Sequence, residues 1–190
     1  MTPIIYEFNP VERFVAGTVG APGERTFFIQ ARTGSRVVSV VVDKSQVIAL
    51  GERTKIMLRE IKKTDPTIVV KSSEIDDAPL EQPIFEEFRA GVIAMAWDAE
   101  NSKIVYELRD MAGSDGDSEE EEEEEEEEVV FDKRGLSVDL LRVHVSPTQA
   151  ASFSKRCLSL ASAGRMPCPF CGIPIDPSGH LCPRANGYRR

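Results

Sequence analysis

The stretch Arg25–Val47, "RTFFIQARTGSRVVSVVVDKSQV", contains the change of pattern that decides the fold. Residues 25–32 and 36–42 are rich in β-branched and aromatic side chains, and Thr33-Gly34-Ser35 is a tight connection between them, so the two runs read as neighbouring strands. At Asp43 the period lengthens. Asp43 and Gln46 have capping-box spacing, and Val47, Leu50, Met57 and Ile61 recur at helical intervals, leaving Lys44, Arg53, Lys55 and Lys62 for solvent. The spacing predicts a helix over 44–63. A half-apolar helix and a half-apolar sheet must cover each other, so this helix is expected on one face of the strands.

Toward the amino end, "IIYEF" at 4–8 and "RFVAGTVG" at 13–20 read as two more strands, separated by a turn at Asn9-Pro10 and followed by one at Pro22-Gly23. Toward the carboxyl end, residues 64–83 read as a surface connection. "FRAGVIAMAW" at 88–97 and "SKIVYELRD" at 102–110 then form a hairpin around "DAEN", with Trp97 and Tyr106 packing across it, and strand signals resume in "VVF" and in "LSVDLLRVHV" at 136–145. Short turns favour antiparallel neighbours, because a parallel pair needs a crossover of about a dozen residues or more. Ser146, Pro147 and Gln149 open a second helix with another capping box. Phe153, Cys157, Leu160 and Ala161 make its buried stripe, and Ala163-Gly164 ends it. Cys157 reads as a small buried hydrophobe. The expectation is an α+β domain over residues 1–164: an antiparallel sheet of about six or seven strands, covered on one face by helices 44–63 and 147–163.

The net charge of −9 is not a uniform field. Asp115, Asp117 and Glu119–Glu128 carry twelve negative charges, without which the chain would be at +3. The segment 113–128 cannot build a core and repels itself, so it reads as an acidic loop interrupting the domain, with a solubilising role as its plainest use. Residues 133–190, by contrast, hold nine Lys or Arg against Asp139 and Asp176.

The tail "CPFCGIPIDPSGHLCPRANGYRR" places Cys168, Cys171, His180 and Cys182 in a segment too short for a core of its own. Cys168-Pro169-Phe170-Cys171-Gly172 has the spacing and the trailing glycine of a turn that aims two thiolates at one ion. Soft and borderline ligands favour zinc in a closed tetrahedral site. A redox pair at Cys168 and Cys171, or thiols without a specific role, are the competing readings; Pro174 and Pro177 oppose the helix a redox pair usually opens. The single residue between His180 and Cys182 is a tight gap and is expected to need a bent backbone. Residues 165–190 are thus read as a zinc knuckle presenting Arg165, Arg184, Asn186, Tyr188, Arg189 and Arg190 to a partner or a polyanion.

No dinucleotide, nucleotide, metalloprotease or hydrolase motif occurs. Gly17, Gly20 and Gly23 lie across a strand and a turn, which argues against a phosphate cradle. His144 in an alternating strand reads as a satisfied structural residue. Glu86, Glu87, Asp98 and Glu100 are carboxylates of the kind that hairpin turns expose, and no catalytic residue is assigned. No run of about 18 apolar residues occurs, and "MTPIIYEFNP" lacks the features of a secretory signal, so a cytoplasmic protein with no membrane partner is expected.

The segments "RFVAGTVGAPGERTFFIQAR", "FRAGVIAMAWD" and "PCPFCGIPIDPSGHLCPRANGYRR" make the whole chain resemble an uncharacterised actinobacterial family catalogued as a domain of unknown function (number 3090). The resemblance implies a cytosolic origin and the same cysteine-rich terminus, and supplies no reaction or partner. The sequence therefore points to a non-catalytic interaction or adaptor module with a structural zinc site, and favours a protein partner over nucleic acid. The alternative is a hydrolase or nucleic-acid-processing enzyme whose carboxylates converge only in three dimensions.

Overall fold

The computed structural model describes residues 3–21, 23–70, 75–111, 138–162, 168–172, 175 and 179–184. Seven strands and two helices follow in the order β1 (Ile5–Phe8), β2 (Arg13–Val19), β3 (Thr26–Thr33), β4 (Arg36–Val42), α1 (Lys44–Thr64), β5 (Glu86–Asp98), β6 (Lys103–Asp110), β7 (Leu140–Val145) and α2 (Pro147–Ser162). The expected "VVF" strand and the acidic segment 113–128 lie outside the described residues.

All seven strands join one sheet in the order β1-β7-β6-β5-β4-β3-β2. The sheet is mixed, which corrects the antiparallel expectation. The β2-β3-β4 and β5-β6-β7 groups are antiparallel as expected, but β4 pairs with β5 in parallel and β1 pairs with β7 in parallel. The physical reason is that α1, with the chain that follows it, is itself the long crossover a parallel pair requires. The Asn9-Pro10 turn likewise does not close a hairpin: β1 and β2 stand at opposite edges of the sheet.

Both helices start where local chemistry dictates. The Asp43 backbone N–H donates to the Gln46 side chain at 2.8 Å, and Gln46 reaches on to the Ala90 and Gly91 carbonyls of β5. At α2 the box is reciprocal: Ser146 N–H donates to Gln149 Oε1 and Gln149 N–H donates to Ser146 Oγ. The helices touch at Gly51, where an added Cβ would stand 3.0 Å from Leu158, and Ser154 Oγ donates to the Gly51 carbonyl.

The core lies between these helices and one face of the sheet. Its centre is aromatic: Phe14 of β2 and Phe153 of α2 stack with centroids 4.4 Å apart, and Tyr106 of β6 meets both. The buried Tyr106 hydroxyl pairs with Thr54 Oγ1 at 2.9 Å, so it carries no unpaired polar group into the core. Cys157 is buried, as its place on the stripe predicts. In the β5-β6 hairpin Tyr106 stands opposite Met95, and Trp97 stands opposite Ile104, so the two aromatics are diagonal rather than paired.

The connection after α1 is a second correction. Residues 75–84 do not merely run over the surface; they lie across the other face of β2, β3 and β4. Leu80 and Ile84 pack with Val15, Phe28 and Val41, and Leu80 occupies the space that a side chain at Gly17 would need. Gln30 of β3, itself buried, holds the Glu81 backbone by both its amide groups. Arg13 clamps both Asp76 oxygens, at 2.7 and 3.0 Å, and Arg156 of α2 donates to the Ala16 and Asp76 carbonyls. Ala16 lies on edge strand β2, so Arg156 also occupies a carbonyl that another chain's strand could otherwise use.

Candidate metal centre

Cys168 and Cys171 are held by a tight turn in which the Gly172 N–H donates to the Cys168 carbonyl at 2.8 Å. Gly172 has φ +75°, a conformation that a side chain would resist and that lets the chain leave the turn. The second arm supplies His180 and Cys182. Cys168 Sγ lies 3.8 Å from Cys182 Sγ, and Cys171 Sγ lies 3.2 Å from His180 Nε2. All four ligand atoms fall within 4.8 Å of one another.

This set fits a metal ion. Two sulfurs bound tetrahedrally at about 2.3 Å stand about 3.8 Å apart, the separation the Cys168–Cys182 pair already has. The three cysteines of the cluster form no disulfide. Burial opposes ionisation of Cys168, but backbone N–H groups of Cys171 and Phe170 directed at its sulfur outweigh it, and its pKa is lowered. Ionisation is what a metal ligand requires.

The single residue between His180 and Cys182 does not keep the two side chains apart: both reach the cluster. Leu181 between them is turned out, 88% exposed. Phe170, between the ligands of the first arm, is likewise 63% exposed. Sequence reasoning passed over both, although their positions between ligands carry the signal: a residue flanked by ligands that converge is forced outward.

Of the suggested contact residues, Arg184 donates to the Phe170 carbonyl at 3.1 Å and so ties the two arms together. Arg165, Tyr188, Arg189 and Arg190 lie outside the described residues.

The carboxylates and histidine of the main domain do not gather at one place. Glu87 and Asp98 sit at opposite ends of β5. Glu87 accepts a hydrogen bond from the Tyr6 hydroxyl, and burial together with that carboxylate pushes the Tyr6 pKa up to about 12. Asp98 accepts from the Asn101 backbone and side chain, which, chiefly through the side chain, lowers its pKa. His144 is on β7 opposite Val105, with Nε2 3.6 Å from Glu7 Oε1, and neither ring nitrogen has a hydrogen-bond partner among the described residues. The expectation of a strand histidine holds, with Glu7 as its nearest charged neighbour. Beside it, on the face away from the helices, Glu107 is 1% exposed and accepts from Arg142 Nε at 2.6 Å and Arg109 at 3.2 Å.

A mixed seven-stranded sheet with two helices on one face and a Cys3His cluster near its carboxyl end defines an α+β protein with a candidate metal centre. The chain belongs to the family described as Protein of unknown function (DUF3090), whose model matches residues 6–182 and so takes in both the sheet and all four ligands. Comparison with curated proteins and with solved structures finds no match. No helix among the described residues is long and apolar enough to cross a membrane.

Proposed function

We propose that the protein is a non-catalytic interaction module in which a structural zinc ion shapes the carboxyl-terminal segment into a contact surface for a protein partner. The observation that carries this reading is the four-ligand cluster with Phe170 and Leu181 turned outward from it. Four protein ligands fill a tetrahedral shell and leave no position for a substrate or an attacking water, which suits a structural ion rather than a catalytic one. Three thiolates and one imidazole favour zinc over hard cations, and metal-bound thiolates suit a reducing cytosol. Apolar side chains held in the open gain by being covered, and their ordering entropy is already spent when the metal is bound.

The experiment is affinity capture from the host with the intact protein and with a Phe170→Ser/Leu181→Ser variant, alongside metal analysis of both. The expected result is full metal content in both and loss of a specific partner in the variant. A partner retained by a metal-loaded variant overturns the contact surface, and a metal-free protein overturns the site.

A further inference from the structure

The helix-covered face of the sheet is not closed everywhere. Between the second half of α1 and the end of β5 lies a cleft of about 470 Å³, lined by Met57, Glu60, Ile61, Thr64, Asp65, Ile68, Trp97 and Ala99. Its size falls within the range of about 300–1,000 Å³ typical of small-molecule sites. A neighbouring recess of about 190 Å³ along the same seam, beside Arg53 and Met95, falls below it.

The lining has one chemical character. Five of the eight residues are apolar, and Trp97, only partly buried, is the chain's single tryptophan. Among the described residues of the lining, the charged members are Glu60 and Asp65 and none is basic. Asp65 Oδ1 accepts from the Thr67 hydroxyl and backbone N–H, chiefly the hydroxyl, which holds its carboxyl below the usual range and leaves it an anion near neutral pH. An aromatic ring among apolar side chains, with exposed carboxylates and no basic residue among the described lining, is complementary to a cation carrying an apolar body.

We infer that this cleft is a binding site for a small organic cation, its apolar or aromatic body seated against Trp97, Met57 and Ile68 and its protonated amine toward Glu60 and Asp65. The site is independent of the metal centre, and the two readings stand or fall separately.

The test uses Trp97 as its own reporter. The intact protein is titrated with phenethylammonium, phenethyl alcohol and 3-phenylpropionate, which share a ring and differ in charge, while tryptophan emission is followed under selective excitation. Saturable binding is expected in the order amine, alcohol, carboxylate. Glu60 is exposed on α1, so Glu60→Gln removes the charge without disturbing the core; it should weaken the amine about two- to fivefold and leave the alcohol unchanged. Isothermal calorimetry with Trp97→Phe, which keeps a ring but lowers the cation affinity, provides a readout independent of emission. No saturable change, equal response to the three probes, or an amine affinity indifferent to Glu60→Gln would overturn the proposal.

Discussion

Cys157 and Cys168 are both buried cysteines, yet their surroundings make them chemically opposite. Burial in the core pushes the Cys157 thiol up to about 12, with the nearby Arg156 only partly offsetting it, so it stays a neutral hydrophobe. Cys168 lies where sulfur is surrounded by donors and by other ligands. In the native protein Cys157 should resist alkylation throughout, while Cys168, Cys171 and Cys182 should become reactive when a chelator is added; mass spectrometry of the labelled peptides distinguishes the sites. Glu107 poses a different residue-scale question, because it is a buried carboxylate between two arginines. Glu107→Ala should cost toward the lower end of about 3–5 kcal/mol in urea unfolding, because Arg142, largely shielded from solvent, then keeps only its 3.9 Å contact to the exposed Glu7, whereas Glu107→Leu combined with Arg142→Met should recover most of that loss.

Among the elements, the segment 75–84 is the one whose role depends most on charge. The hydrogen bonds from Arg13, aided by its positive charge, hold the Asp76 carboxyl below the usual carboxylate range despite partial burial. A pKa lower in the folded than in the unfolded state stabilises the fold above the unfolded value, and that contribution is lost as pH falls through the folded value. Asp76→Asn should therefore destabilise by about 1 kcal/mol at neutral pH, a figure already reduced for the solvent reaching this carboxylate. The difference from the parent should shrink as the pH drops below about 4, which urea unfolding of both proteins across that range would measure. The helices and the two hairpins were legible in sequence because capping boxes and alternating runs are local. The segment was not: Leu80 and Ile84 follow no helical or strand period, and their partners lie on strands far away in the chain. Arg156 was hidden for the same reason, since a helical arginine reads as solvated until the carbonyls of Ala16 and Asp76 are found beside it. The parallel pairings depend on the path of the chain between strands, which no single strand encodes.

Seen whole, the molecule joins a sheet domain that holds itself together by packing to a terminus whose described residues bring four candidate ligands together. The four ligands were legible because their spacing is local; the outward Phe170 and Leu181 became visible only once the ligands were seen to converge. A metal supplies folding free energy to such a segment directly, of order 10 kcal/mol for a structural zinc site. Removing the ion should unfold the terminus and leave the sheet, with its separate aromatic core, intact. The most direct measurement is elemental analysis of protein purified without chelator. The account predicts about one zinc per chain, most of it lost in Cys168→Ser, as befits a four-ligand site. Protein that holds no metal tightly, or a Cys168→Ser variant that keeps its full complement, would contradict it.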